Sequence, residues 1–293
     1  MAKKRGTGKA IAHHGELLQG VFEDAGGQLL RGLVSLPCPA LTSIATFAPN
    51  ERDEVTVSPT FCEKARRAAS QSLVTFARVR TGGHLRLVTN IPIGRGMGSS
   101  TADVLASIHA VLDYLGIVTT TESIMRIAVD AETACDSTLF KQQAVLFAQR
   151  DGIVLEAFRK PIPSLNIVSV DMAPASTVST LEFQPAQYEP GEVEIFRPLR
   201  SLLRRAIDTG DVLSLGRVAT ASAWINERFL PKPRLRELQA IAMRYGASGL
   251  QVAHSGTIAG LLFDPVDART PENMDLAIRA IDALGLSQRT FLT

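Results

Sequence analysis

Between Ile91 and Asp103 the chain reads Ile-Pro-Ile-Gly-Arg-Gly-Met-Gly-Ser-Ser-Thr-Ala-Asp. Three glycines in five positions, Gly94, Gly96 and Gly98, let a backbone turn tightly and gather its N–H groups. The hydroxyls of Ser99 and Ser100 follow at once. From Val104 to Leu115 apolar residues recur every three or four positions, and Gly116 stands where a helix would stop. The pattern predicts a phosphate cradle on a helix N-terminus, where free amides and the positive dipole end hold a polyphosphate and a hydroxyl reaches its metal ion. The stretch lacks the Gly-Lys-Ser/Thr ending of a P-loop, and its glycine spacing is not that of a dinucleotide-binding fold.

Phosphoryl transfer also needs oxygen ligands for magnesium and a group that aligns or deprotonates the acceptor hydroxyl. One carboxylate and one hydroxyl suffice for a hard dication that keeps several waters. Glu132 and Asp136, four residues apart, are the candidate acids. A helix is predicted over Thr121 to Thr133, with Thr121 as its cap. If it continues, both carboxylates lie along one face; if it ends by Ala134, Asp136 projects from the turn. Near the start, Gly15 and Gly20 bracket a polar turn in which Glu16 and Gln19 could take an ammonium or hydroxyl of a small substrate. His13 and His14 are poorly placed to share a metal, because strand neighbours face opposite ways.

The elements that must position these residues read as follows. Ala10–His13, Leu41–Phe47, Glu54–Val57 and His84–Val88 are predicted strands, and Glu63–Arg80 a helix with a basic outer face. Ala144–Ala148 and Ile153–Ala157 flank Asp151-Gly152 as a hairpin. Lys160-Pro161-Ile162-Pro163 then punctuates the chain, which divides it into residues 1–160 and 161–293. A strand at Leu165–Val170 and a Pro-rich connection from Gln184 to Gly191 precede helical patterns at Val193–Thr209, Asp211–Glu227 and Pro233–Tyr245. Strand-like runs at Gly249–Ala253 and Ile258–Phe263 close the core. Strands interleaved with helices, without a strict βαβ rhythm, indicate an α+β, two-lobed fold.

The 293 residues are 45% hydrophobic, enough for one large domain or two intimate ones. A net charge of +2 argues against a broad basic face for nucleic acid. No apolar run reaches bilayer length and no secretory signal is evident, so no membrane association and a cytoplasmic location are expected. Cys38, Cys62 and Cys135 lack the spacing of a disulfide framework or a zinc site. Oligomeric state is left open, a homodimer included.

The glycine-serine stretch closely resembles the second motif of the GHMP kinases, Pro-x-x-x-Gly-Leu-Gly-Ser-Ser-Ala-Ala. Pro92, Gly96, Gly98, Ser99, Ser100 and Ala102 match it, while Met97 and Thr101 depart mildly. The resemblance implies a GHMP kinase fold, with a ribosomal S5 domain 2-like N-terminal lobe and a ferredoxin-like C-terminal lobe. It implies ATP held by Pro92, Gly94, Arg95, Gly96, Met97, Gly98, Ser99, Ser100 and Thr101, with Mg²⁺ on Ser100 and Glu132 and Asp136 as the catalytic base. The Glu132–Asp136 segment is similar to the Glu-Pro-Thr-Asp segment of the L-threonine kinase branch, with one residue inserted. His14-Gly15-Glu16-Leu17-Leu18-Gln19-Gly20 looks like that branch's Cys-Gly-Glu-Leu-Val-Gln-Gly motif, with His14 replacing the cysteine. Ala253–Leu261 resembles the third GHMP motif in its threonine-kinase form. His14, Glu16, Gln19, His254, Ser255, Gly256 and Thr257 are thereby implied on the substrate side, with Asn226 and Lys232 as weaker candidates. The implied reaction is phosphorylation of an amino-acid hydroxyl, L-threonine first. A kinase for homoserine or another hydroxylated amino acid, and a non-catalytic ATP-binding regulator, remain as alternatives.

Overall fold

The computed structural model describes residues 5–77, 82–140, 143–174 and 186–293. Within them ten strands form one sheet. Strand β1 (Gly6–Glu23) pairs antiparallel with β2 (Leu29–Pro49), and β3 (Val55–Ser58) runs parallel to β4 (Gly83–Thr89). The order across the sheet is β10-β7-β9-β8-β1-β2-β4-β3, where β7 is Asn166–Asp171, β8 Gly249–Val252, β9 Ile258–Phe263 and β10 Gln288–Leu292. The hairpin of β5 (Val145–Ala148) and β6 (Ile153–Ala157) leaves this path and pairs with β2. It turns at Asp151-Gly152, as the sequence predicts.

Three cores flank the sheet. Helices α1 (Glu63–Ser72), α2 (Ser99–Leu115) and α3 (Thr121–Glu132) pack on the first half of β1 and the second half of β2 through Leu73, Leu105, Ile108 and Phe47. Helices α4 (Pro190–Thr209) and α5 (Val212–Asn226) cover the second half of β1 and the first half of β2, with Phe196 and Leu215 fully buried. Helices α6 (Leu235–Arg244) and α7 (Thr270–Ala283) pack beside β7, β8 and β9 around Leu238, Phe263 and Ile281. A fully buried Phe or Leu contributes roughly 1.5–3 kcal/mol relative to the exposed side chain, so these apolar faces dominate the fixing of each helix.

Several expectations are corrected. The segment from His14 to Gly20 is no surface turn but the middle of β1, kinked at Gly15. Gly15 has φ 67, and the β1–β2 register shifts between His13 and Glu16. A side chain here would be strained, and its Cβ would lie 1.7 Å from Oε1 of Gln251. That kink turns His13 and Glu16, three residues apart, toward the same point. The helix predicted to Arg80 stops at Ser72 and continues as a π-turn over Leu73–Ala77; residues 78–80 lie outside the described residues. Thr120, not Thr121, caps α3, its hydroxyl accepting from the amide of Ser123 at 3.3 Å. Helix α7 and strand β10 have no counterpart among the predicted elements, because their partners, α6 and β7, fix them through tertiary contact. Among the described residues no helix is long and apolar enough to cross a membrane.

Candidate active site

The glycine loop is held by backbone from the far end of the chain. The amides of Thr257 and Ile258 both donate to the carbonyl of Arg95, at 3.1 and 3.3 Å, and the amide of His13 donates to the carbonyl of Met97 at 3.2 Å. Gly98, with φ 70, is the N-cap residue of α2, and no side chain caps that helix. The amides of its first turn have no intrahelical acceptor and belong to residues that line a cleft, an arrangement that favours an anion.

The two acids reach the same cleft by different means. Glu132 is the last residue of α3, and Thr133 reverses the chain with φ 78. Asp136 therefore projects from the turn, anchored by the amide of Cys135 donating to the carbonyl of Gln149 at 2.9 Å. Glu132 Oε2 accepts from Thr101 Oγ1 at 2.8 Å and from Cys135 Sγ at 3.4 Å, and its Oε1 lies 3.6 Å from Lys64 Nζ. Burial pushes its carboxyl above the usual range, against the hydrogen bond from Ser100 and the charge of Lys64.

Asp136 belongs to a buried network of two carboxylates and two imidazoles. His13 Nε2 is 3.0 Å from Asp136 Oδ2, and His254 Nδ1 is 2.8 Å from Glu16 Oε1. Glu16 also accepts from the backbone amide of His254 at 2.6 Å. The two rings stack with centroids 6.0 Å apart. Burial alone would lower His13, but Asp136 and then Glu16 overcome it and raise it to about 9. The same pairing, against burial, holds Asp136 well below the usual carboxylate range. Burial likewise opposes protonation of His254, and Glu16 outweighs it. With both imidazoles protonated the cluster is neutral as a whole, which is how four ionisable groups tolerate this interior.

This pairing has a measurable pH signature. A base raised to about 9 in the folded state adds stability that is fully present below its unfolded value near 6.5 and is lost as pH rises through 9. Wild-type protein is therefore expected to lose about 3–6 °C more in melting temperature between pH 6 and pH 10 than a His13→Asn variant, measured by scanning calorimetry in matched buffers. Parallel curves for the two proteins would show that His13 carries no such charge. At the acid end the depressed Asp136 works the other way, its contribution fading as pH falls below the ordinary aspartate value.

The cleft of about 570 Å³ is lined by Gly94, Gly96, Met97, Gly98, Ser99, Ser100, Thr101, Glu132, Asp136, His254, Ser255 and Gly256. A smaller chamber of about 140 Å³ adjoins it, lined by Gln19, Tyr188, Asn226 and Lys232 and sharing Ala134, Gln149, Arg150, His254 and Ser255 with the larger one. Five predicted residues line neither space. His14 is fully buried, hydrogen-bonded to Gln251 and tilted against Phe291, and burial keeps it neutral, lowered to about 3. Thr257 spends its hydroxyl on Asp171 at 2.6 Å. Arg95 turns away to Asp171 and the carbonyl of Pro174, at 3.3 and 2.8 Å, so it braces the loop. Pro92 sits beside it on that outer side. Glu16 lies beneath the imidazoles. Asn226 lines the small chamber, but its amide ties the carbonyls of Gln19 and Ser222 and accepts from the Tyr188 hydroxyl at 2.6 Å.

Sequence reasoning missed His13, Lys64, Gln149, Arg150 and Tyr188. His13 carried a usable signal, since its ring must oppose that of His14 on a strand. The other four lie on elements whose approach only folding determines.

Residues 62–142 match the family described as GHMP kinases N terminal domain, and residues 201–285 the one described as GHMP kinases C terminal. An L-threonine kinase of Salmonella typhimurium is 30% identical over 182 residues, which cover 60% of this chain and 58% of that protein. An L-threonine kinase of Citrobacter freundii is 27% identical over 180 residues, covering 60% of each chain. The chain thus spans about 60% of the length of these curated relatives. A crystal structure of homoserine kinase from Cytophaga hutchinsonii superposes with a TM-score of 0.71 at 16% identity, covering 100% of this chain and 96% of the other, a likeness of fold. With both family regions matched in order over more than half its length, and with the α+β fold described above, this chain belongs to the GHMP kinases.

Proposed function

We propose that the protein is an ATP-dependent kinase that transfers the γ-phosphoryl group to the hydroxyl of an amino acid, L-threonine, giving O-phospho-L-threonine. The observation that carries this reading is the convergence of the uncapped start of α2, the Ser100–Glu132 pair and the ionised Asp136 on one cleft, with a small polar chamber opening beside them. The names of the two curated relatives support the choice of threonine.

The donor set suits magnesium. The Glu132 carboxylate and Ser100 hydroxyl are hard oxygen ligands, and a buried carboxylate whose charge is only partly offset by Lys64 gains from a dication. When bound, the metal neutralises charge on the phosphoryl oxygens. Glycine-loop amides hold the phosphates, and Lys64 favours the ionised form of Glu132 against its burial. Asp136 accepts a hydrogen bond from the acceptor hydroxyl and takes its proton on a carboxylate oxygen. His13 lowers the proton affinity of that oxygen, so Asp136 mainly orients the nucleophile and receives the proton late, as a loose phosphoryl-transfer transition state requires.

Purified protein with ATP, Mg²⁺ and L-threonine is expected to form O-phosphothreonine, detected by mass spectrometry, and to stop when EDTA removes the metal. Competition between L-threonine and L-homoserine decides the acceptor. Phosphorylation of other alcohols but not of threonine would discard the substrate and keep the reaction, whereas nucleotide binding without turnover on a broad alcohol panel would discard both.

A further inference from the structure

The smaller chamber contains an ammonium that forms no ion pair among the described residues. Lys232 lies between α5 and α6 and is only 4% exposed, yet it lines this chamber. Its Nζ donates to the carbonyl of Leu230 at 3.3 Å, and among the described residues no carboxylate oxygen forms an ion pair with it. Glu227, five residues before Lys232, gives both carboxylate oxygens to the backbone amide of Lys232, at 3.0 Å each. Burial lowers the ammonium to about 8, against the more distant charges of Glu227 and Glu16. A buried cation with one carbonyl for three donors is costly unless a ligand completes it.

A second group in the same chamber is incomplete in the opposite sense. Gln149 lines both spaces, and its Oε1 is buried with no hydrogen-bond partner among the described residues. One wall therefore offers a cation and another an open acceptor, while Phe229, Leu230 and Val252 supply apolar surface between. The opening into the larger cleft passes His254, the neighbour of the Asp136 network.

Resting on the kinase reading above, we propose that Lys232 Nζ binds the carboxylate of the acceptor, with Gln149 Oε1 accepting from its ammonium, so that the smaller chamber selects α-amino acids. Charge pairing there holds the carboxylate in the smaller chamber, from which a side-chain hydroxyl would extend past His254 toward the larger cleft that Asp136 lines. The chamber, of about 140 Å³, is the smaller of the two adjoining spaces and suits a small ligand.

Calorimetric binding without ATP tests this, using L-threonine and L-threoninol, which lacks the carboxylate, on wild type, Lys232→Met and Lys232→Gln. Wild type is expected to prefer threonine over threoninol by about 30-fold or more. Both variants should lose that preference to within about threefold while their melting temperature and nucleotide affinity stay near wild type. Equal loss of both ligands, unchanged threonine affinity in the variants, or no threonine binding to wild type would overturn the assignment. The two readings fail separately. Threonine held through Lys232 without phosphothreonine formation would sink the kinase reading alone, and phosphothreonine formation with threonine affinity unchanged in both Lys232 variants would sink this one alone.

Discussion

Asp136→Asn is expected to lower turnover by about 10²–10⁴-fold while nucleotide affinity stays within about threefold of wild type. The amide matches the carboxylate in size, so the turn after α3 and its anchor to Gln149 should survive. It cannot receive the acceptor's proton. It also removes the main counter-charge of His13, which lies 3.0 Å away and owes its raised proton affinity to Asp136 first and Glu16 second. The variant should therefore lose part of the alkaline stability limb together with its activity. His13→Asn makes the useful comparison, because it keeps the proton acceptor and removes only the neighbour that holds Asp136 ionised, so its loss of turnover should be far smaller. Single-turnover rates alongside nucleotide titration separate the cases. An Asp136→Asn variant retaining more than a tenth of wild-type turnover would remove Asp136 from the proton's path.

Gly96→Ala is expected to lower stability by at least about 2 kcal/mol and to weaken nucleotide binding about 100-fold. Gly96 has φ 82, a conformation that costs an L-residue about 1–2 kcal/mol before any contact is counted. Its added Cβ would lie 1.6 Å from the carbonyl oxygen of Ser255 and 2.7 Å from the Cβ of Ala253. Those neighbours are main chain and a short side chain, and the amides of Thr257 and Ile258 pin them to Arg95. The two segments must part, and with them the cradle at the start of α2. Gly191→Ala serves as the control, since a methyl group added there would meet no atom within 4 Å and the residue sits in the first turn of α4. Thermal melts and nucleotide titration of both variants provide the check; equal behaviour would mean that the close approach of the loops is dispensable.

The parts of the site legible in the sequence are those whose chemistry is local. Ser99 begins α2 and Gly116 ends it because a glycine-rich turn, an apolar period and a stop residue sit together in one stretch of chain. Glu132 at the end of α3 and Asp136 beyond it follow from the same kind of local grammar. The motif between His14 and Gly20 was legible as a motif but not as a structure, because two glycines bracketing polar residues suit a turn as well as a kinked strand. Its identity as strand is settled by pairing with β2 on one side and, at Glu16, with Val252 of β8 on the other.

The sequence by itself determined the family, the glycine-rich start of α2 and the order of the acids, since each motif is made of residues only a few positions apart. Tertiary structure alone decided which imidazole serves the site. Alternation along β1 places His13 and His14 on opposite faces, but only the packing of Gln251 and Phe291 over one face and the arrival of Asp136 at the other makes His14 neutral core and His13 a charged partner. It likewise brought Lys64 to Glu132, and Gln149 and Lys232 to one chamber, across separations of up to 83 positions in the case of that last pair. Burial and long-range approach set the charge state of these groups, and neither is written in the spacing of neighbouring residues.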